Sequence, residues 1–399
     1  MGLSARRGKM SRKVFFFTTF KLCDNNGYLS TQIYNFFVQN GNEMVNTPEL
    51  ADFIVISTCG FDQERENISF SIVDGYIRKF AAEKGIIICG CLPKINPDLF
   101  DLSQVILIGP KELNRFNEIF KPAVRIENIS GSLLNGKFIN EHYGFLDAYY
   151  LQICQGCVND CSYCAIKKAK GEVTSKPIDK IIAELKEGLR MGFKRFVLLA
   201  DDCGSYGVDL GVDFAKLLNQ LKDFDIKVNI NYVEPREFQL LYPKIDQGIL
   251  EKIDFMDMPL QSTSKRILRL MNRHYEVADI LKIAKEIKRR SPHIYLETQI
   301  IYGFPSETRE EFRDTFKLTE FFDTVIYFYY TDRKNVKSSF LPGKLTSSEV
   351  IYRTEEIMRH PRFSRGQDTA EAPMVLLGYG PNESDIFKSI ERNCSCNRN

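Results

Sequence analysis

The chain has 399 residues, 44% hydrophobic and 27% charged, enough apolar material for a folded core and unlike a disordered chain. Its 54 Lys and Arg against 52 Asp and Glu leave a net charge of +2, which excludes a strongly polybasic protein. No apolar run approaches the roughly 20 residues that span a bilayer, and the basic start MGLSARRGKMSRK has neither the apolar segment of a secretory signal nor, with Arg6 at position six, a myristoylation pattern. A cytoplasmic chain without a membrane role is expected.

From Lys13 to about Gly109, β-rich apolar runs alternate with helical stretches, the pattern of βαβ units around a parallel sheet. Strands are expected at 14–20, 52–58, 85–90 and 105–109, with helices over 30–41 and 64–82 where apolar residues recur every three or four positions. We read residues 13–125 as an α/β domain of flavodoxin-like type. Residues 110–146 carry NISGSLLNGKF and little periodicity, and 126–146 read as a linker. A second βα series occupies 147–345, with strands at 148–153, 195–200, 227–233, 254–259, 294–300 and 324–330. Helical stretches start near Pro177, Val208, Glu237, Ser264 with Val277, and Thr308. Six βα units predict a partial (β/α)6 barrel rather than a closed eightfold one. Residues 346–399 read as one helix through Arg359 and a polar tail.

Eleven cysteines without a signal peptide point to a reducing compartment, where structural disulfides are rare and thiolate ligation of zinc or iron–sulfur is the better reading. The four histidines, at 142, 274, 293 and 360, are too scattered to support a mixed cysteine and histidine zinc site. Directly after the first strand of the second series stands CQGCVNDCSYC, with Cys157, Cys161 and Cys164 in C-x3-C-x2-C spacing. Three thiolates on one loop leave the fourth iron of a four-iron cluster open, and an open iron can chelate the amino and carboxylate groups of S-adenosylmethionine. The loop follows a strand, at the end of a βα barrel where catalytic loops gather. A bland alternative stands beside it. Cys154 and Cys157 also form C-x2-C, and with Cys161 and Cys164 they make a four-thiolate set suited to structural zinc. A thioredoxin-like redox pair fits less well, because its context is a helix N-terminus. Cys154 otherwise reads as a small apolar residue at a strand end.

In the first domain Cys23, Cys59 and Cys91 each follow a different strand. In a parallel sheet those ends share one edge, the crevice where open α/β sheets bind ligands, so the three can meet although 36 and 32 residues separate them in turn. Each alone reads as a buried small hydrophobe; three in equivalent positions weaken that reading. Cys89 is expected in the core, Cys203 is ambiguous, and Cys394 and Cys396 in the tail receive no role.

With these residues in hand, the chain resembles the radical S-adenosylmethionine methylthiotransferases from about Val14 to Ser338. DFIVISTCGF and GIIICGCLPK match the stretches carrying the auxiliary-cluster cysteines, more loosely around Cys23. QGCVNDCSYCAI, LADDCGSYGVD, MPLQSTSKRILRLMNRHY and IIYGFPSETREEF follow in the family's order. The resemblance implies two [4Fe–4S] clusters and S-adenosyl-L-methionine as cofactors, with an electron donor such as flavodoxin or ferredoxin. In that scheme the cluster on Cys23, Cys59 and Cys91 supplies or carries sulfur, which one S-adenosylmethionine methylates. A second molecule is cleaved at the Cys157, Cys161, Cys164 cluster to a 5′-deoxyadenosyl radical, which removes hydrogen from an unactivated C–H. Both clusters must then approach one substrate pocket. Tyr163, before the third cluster cysteine, also fits the pattern. The cofactor is expected near Asp202, Glu234, Arg236, Gln261, Ile301 and Gly303, each of which has structural ion pairing or packing as its alternative. Gly303 lets backbone approach an adenine ring, and Arg236 suits a carboxylate.

Departures from the family pattern bear on the substrate. Lys167 and Lys170-Gly171 stand where Pro and then Arg-Gly are usual, Gln299 where an acid is common, and Ser306 where Gly is. Residues 346–399 contain no series of strands comparable to the small terminal barrel called TRAM. Three functions follow: methylthiolation of a protein or peptide side chain, methylthiolation of a tRNA base, and a non-catalytic iron–sulfur or zinc module. The last leaves the full barrel motif set unexplained. Motifs divide between the first two, and the small net charge tips the reading to a protein or peptide, because a tRNA binder must neutralise several phosphates.

Overall fold

The fold follows from two alternating patterns, one burying both faces of a parallel sheet and the other packing a second parallel sheet on a large apolar core. The computed structural model describes residues 11–20, 23–132, 147–334, 336–363 and 374–377. Cys394 and Cys396, and 133–146 of the expected linker, lie outside the described residues. The described residues fall into two compact units: those up to 61, those from 65 to 132 and 168–170 in one, and those at 62–64, 147–167 and from 171 onward in the other.

The first unit has strands β1 (Lys13–Thr18), β2 (Glu43–Met44), β3 (Phe53–Thr58), β4 (Gly85–Gly90) and β5 (Ile106–Ile108) in spatial order β2-β1-β3-β4-β5, all parallel. That is the flavodoxin-like order. Helices α1 (Asp24–Gln39), α2 (Gln63–Phe80), α3 (Leu92–Ile95) and α4 (Arg115–Phe120) connect and flank the strands. Alternation along the strands feeds two cores. Val55, Ile87 and Cys89 join Ile33, Phe36, Phe37 and Phe116 on one face, while Ile54, Ile56, Ile86 and Ile88 join Val73 and Phe80 on the other. Cys89 is therefore core, as expected. The sequence reading omits β2, α3 and α4, and the helix expected over 30–41 begins six residues earlier, at Asp24. Ile126 and Ile129 also enter the first core, and Gln32 Nε2 donates to both of their carbonyls at 3.1 and 3.0 Å.

The second unit carries β6 (Ala148–Gln152), β7 (Cys154–Gln155), β8 (Thr174–Ser175), β9 (Arg195–Leu199), β10 (Lys227–Asn231), β11 (Ile253–Asp257), β12 (Tyr295–Tyr302), β13 (Thr324–Tyr329) and β14 (Met374–Leu377). Seven form one parallel sheet in the order β14-β13-β12-β11-β10-β9-β6; β7 and β8 make a short antiparallel ribbon. The six expected strands are all present, in sequence order. Strand β14, which pairs Met374 with Thr324, is a seventh that the sequence reading had assigned to tail.

Helix α5 (Ile166–Lys170) is divided between the two units, and α6 (Ile178–Arg190), α7 (Phe214–Leu221), α8 (Pro235–Leu241), α9 (Gln247–Leu250), α10 (Lys265–Leu270), α11 (Val277–Arg290), α12 (Arg309–Asp314) and α13 (Ser347–Met358) complete the second unit's series. The helix expected from Val208 starts instead at Phe214. Gly207 and Gly211 take positive φ, limiting Val208–Leu210 to one tight turn, and Asp213 caps the helix by accepting from Lys216 N. Tyr149, Leu151, Phe196, Leu198, Val228, Ile230, Met256 and Leu296 all belong to one apolar core, so the intervening residues of these strands take the opposite face. Among the described residues no helix is long and apolar enough to cross a membrane.

Candidate functional site

In the first unit the three cysteines stand past the C-terminal ends of neighbouring strands. Cys23 precedes α1, Cys59 follows β3 directly, and Cys91 follows β4. A buried polar clasp sets the first loop: Ser57 Oγ donates to Asn26 Oδ1 at 2.9 Å, Ser30 Oγ donates to Ser57 Oγ at 3.0 Å, and Asn26 Nδ2 donates to Phe20 O at 3.1 Å. Cys59 N points at Ser69 Oγ, 3.3 Å away, and Cys91 N donates to Thr58 O at 3.2 Å. Burial pushes the Cys23 thiol up to about 12, and the proximity of Cys91 adds to the rise.

Gly90 makes the approach of β4 to β3 possible. Its φ is +96°, and a Cβ there would collide with the Thr58 carbonyl. Gly90→Ala is expected to cost about 2–3 kcal/mol, through left-handed strain and the backbone clash. Chemical denaturation checks this, and an unchanged midpoint contradicts it.

In the second unit the loop that carries Cys157, Cys161 and Cys164 starts at Gly156, where φ is +87° and Gly156 N donates to Asp201 Oδ2 at 2.8 Å. Cys157 Sγ accepts from Asn159 N at 3.4 Å and lies 3.8 Å from both Asp202 Oδ2 and Ser205 Oγ. Lys167 Nζ donates to Cys157 O at 2.5 Å. Ser162 pins the middle of the loop, donating from N to Met271 O at 2.9 Å and from Oγ to Leu270 O at 2.7 Å. Burial raises Cys157 to about 12, with Asp202 contributing, and raises Cys164 to about 11, with Cys161 contributing. Cys154 turns into the core instead, 3% exposed, with Sγ 3.7 Å from Asp202 O. Cys203 is also core, its thiol donating to Asn231 O at 3.1 Å.

A buried chain runs outward from this loop. Asp202 Oδ1 accepts from Gly204 N at 2.9 Å and from Glu234 N at 3.0 Å, and burial lifts its carboxyl above the usual range. Glu234 caps α8 and pairs through Oε1 with Arg273 Nη2 at 3.0 Å. Arg273 then reaches Cys161 Sγ at 3.8 Å, Tyr163 Oη at 3.4 Å and Pro259 O at 2.7 Å. Sequence reasoning quoted the motif containing Arg273 but did not single the residue out. Four other basic residues share that motif, Lys265, Arg266, Arg269 and His274, so nothing local set Arg273 apart. Arg236 is exposed and has no ion pair among the described residues.

Gln261 links the ends of β11 and β12: its N donates to Gln299 O at 2.8 Å and its O accepts from Ile301 N at 3.0 Å. Its φ is +72°. Gly303, with φ +76°, donates from N to Glu307 Oε2 at 2.8 Å. That carboxyl is fully buried against the Arg353 guanidinium of α13, and Arg353 Nη2 also donates to Glu307 O at 2.8 Å. Ser306, the departure from Gly, takes φ +64°. The structure thus ties Asp202 and Glu234 to the Cys157 loop through hydrogen bonds and Arg273, and Gln261 to Ile301.

Among the described residues no three His, Cys, Asp or Glu side chains converge to hold a single metal ion. A zinc site needs four thiolates about 2.3 Å from one point; in a four-iron cluster each thiolate binds its own iron. The residues present fit the latter and a bound cofactor. Crowded, buried thiols with raised pKa values need metal charge to persist as thiolates. Arg273 Nε and Gln261 Oε1 are buried without hydrogen-bond partners among the described residues, the orphaned polar atoms a ligand would satisfy.

The comparisons with known proteins agree. A family model described as Radical SAM superfamily matches residues 151–319, and one described as Uncharacterized protein family UPF0004 matches 15–108. A probable threonylcarbamoyladenosine tRNA methylthiotransferase of Pyrococcus horikoshii is 32% identical over 70% of this chain and 67% of its own. One of the same description from Methanocaldococcus jannaschii is 30% identical over 90% and 86%. A ribosomal protein uS12 methylthiotransferase of Thermoanaerobacter is 30% identical over 84% and 80%. In fold, the chain is similar to the radical S-adenosylmethionine methyltransferase TsrM of Kitasatospora setae, with a TM-score of 0.56 and 13% identity over 79% of this chain and 73% of that one.

The second unit is thus a radical S-adenosylmethionine domain. The chain as a whole belongs to the radical S-adenosylmethionine methylthiotransferases, enzymes that use S-adenosylmethionine and two [4Fe–4S] clusters.

Proposed function

We propose that this enzyme places a methylthio group on an unactivated C–H of a polypeptide side chain. Cys157, Cys161 and Cys164 would hold the cluster that binds S-adenosylmethionine, and Cys23, Cys59 and Cys91 the auxiliary cluster. When bound, these groups supply one-electron cleavage of the sulfonium and the methylthio unit. The chain's own residues position and shield. Asn159 directs two hydrogen-bond donors, N and Nδ2, at the Cys157 sulfur, which would stabilise its thiolate. Arg273 offers positive charge beside Cys161 and leaves Nε for a ligand acceptor. Gln261 and the Ile301–Gly303 turn form the end of the sheet against which an adenine would rest, and Tyr163, Asp202, Glu234 and Arg236 remain cofactor contacts by the same proposal. Electrons would come from a low-potential carrier such as flavodoxin or ferredoxin, in the cytoplasm.

The observation that carries the polypeptide reading is the use made of the basic run after the cluster loop. Lys167 turns inward to Cys157 O and Lys170 is 4% exposed, so of the three lysines only Lys168 is presented to solvent, in a chain of net charge +2. One observation favours tRNA instead. A surface groove is lined by Lys265, Arg269, Arg273, His274, Tyr275 and Glu276, and exposed Arg269 has no ion pair among the described residues.

Anaerobic reconstitution with bulk tRNA and, separately, with cellular polypeptides decides between them. Mass spectrometry should find a gain of about 46 Da, the methylthio-for-hydrogen increment, on a polypeptide. Its appearance on a nucleoside alone would overturn the preference.

A further inference from the structure

Cys161 and the residues on either side of it are all held by one distant turn. Asn272 Nδ2 donates to Asp160 O at 2.8 Å, and Ser162 donates from N to Met271 O at 2.9 Å and from Oγ to Leu270 O at 2.7 Å. Between these anchors Arg273 Nη1 stands 3.8 Å from Cys161 Sγ. The turn fixes its own shape, with Asn272 at φ +61° and Arg273 N donating back to Leu268 O at 2.8 Å. The guanidinium is also clamped from behind, where Nη2 meets Pro259 O at 2.7 Å and Glu234 Oε1 at 3.0 Å, and the residue is 7% exposed.

The thiols of this loop differ in what faces them. Cys157 Sγ has the donors of Asn159 and, at 3.8 Å, a carboxyl oxygen of Asp202. Cys161 has a cation. Among the described residues Arg273 is the one Lys or Arg side chain hydrogen-bonded to a sulfur of Cys157, Cys161 or Cys164, since Lys167 meets the Cys157 carbonyl instead. A guanidinium is costly to bury, and a buried ion pair alone is often replaceable by apolar packing without loss of stability. What apolar packing cannot supply is the positive N–H on sulfur.

We propose that Arg273 sets the reduction potential of the cluster held by Cys157, Cys161 and Cys164, keeping it higher than the loop alone would. The inference rests on the proposed assignment of that cluster. Reduction moves one electron from the low-potential carrier to the cluster, whose charge becomes more negative by one. A fixed cation beside one of its thiolates stabilises the reduced form more than the oxidised one, and an N–H aimed at sulfur acts in the same direction. Both act more strongly in a buried site than in water. Glu234 opposes them, because its carboxylate sits on the same guanidinium and offsets part of the charge. Arg273 is thus a positioning residue that acts through Cys161, and the Glu234 pair trims its effect.

Potentiometric titration of the full cluster-loaded protein, followed by electron paramagnetic resonance, tests this. The signal that changes on adding S-adenosylmethionine identifies this cluster, and the other signal is an internal control. In Arg273→Gln the reduced-to-oxidised ratio of the responsive cluster at fixed potential should fall about tenfold, a midpoint lower by about 59 mV for one electron. Arg273→Lys keeps the charge and should lose less than about threefold. Glu234→Gln frees the charge of Arg273 and should move the same ratio the opposite way, up about threefold. That second variant decides the matter where Arg273→Gln fails to load its cluster. The control signal should keep its midpoint throughout. A midpoint unchanged in Arg273→Gln, or one that does not rise in Glu234→Gln, overturns the proposal and leaves the cluster assignment standing. A wild-type protein with no signal responsive to S-adenosylmethionine overturns the assignment and this proposal with it.

Discussion

Alanine at Cys157, Cys161 and Cys164 together is expected to abolish reductive cleavage of S-adenosylmethionine while sparing half of the iron. A protein with both clusters holds about eight irons, so the triple variant should retain about four. The complementary variant at Cys23, Cys59 and Cys91 should also retain about four, still form some 5′-deoxyadenosine, and give no methylthio product. The separation is expected because the two sets occupy different sheets: one follows β6, the other the ends of β1, β3 and β4. Single serine variants of Cys154 and Cys203 should keep full iron, since both thiols point into the core. Iron and labile sulfide analysis with product chromatography checks all of these. Normal 5′-deoxyadenosine from the Cys157, Cys161, Cys164 variant would refute the assignment.

Arg353→Met is expected to cost about 3–5 kcal/mol at pH 8, because it leaves the Glu307 carboxylate buried without its cation. Arg353 and Glu307 are both essentially inaccessible, and the same carboxyl holds the Gly303 N–H. Burial raises Glu307 to about 7 against the opposing pull of Arg353. Its folded value therefore stands above the unfolded 4.5, so its contribution to wild-type stability is fully present below about pH 4.5 and is lost as the pH rises through about 7. Without Arg353 the value climbs further. The variant's deficit should accordingly be largest above pH 7 and shrink below it, where both proteins carry a protonated Glu307. Urea unfolding at pH 6 and pH 8 measures the difference, and an equal deficit at both values would show that lost packing, not charge, dominates. Because the pair holds the Gly303 turn, the variant should also bind S-adenosylmethionine more weakly at pH 8 in equilibrium dialysis.

The sheets were legible because their information is local. Runs such as DFIVIST and GIIICG bury alternate residues on two faces, and a strand-end cysteine falls on one edge of a parallel sheet whatever else the chain does. The spacing of Cys157, Cys161 and Cys164 was legible for the same reason, since a short loop keeps its three thiols together in any fold. Short elements escaped: two-residue β2 and four-residue β14 have too few positions to show a period, and β14 exists through its pairing with β13.

What surrounds the cysteines depended on chain closure. Arg273 reaches Cys161 across 112 residues of sequence, and Arg353 reaches Glu307 across 46. Asp257 meets Glu297 only because β11 and β12 lie side by side in that register. A buried charge is tolerable only beside its partner, and no local pattern names a partner brought from a distant element. Residue type and period thus decided the two sheets and the chemistry of the thiols, while the ion pairs, the orphaned polar atoms and the capped turns around them were decided by the packing of strands and helices far apart in the chain.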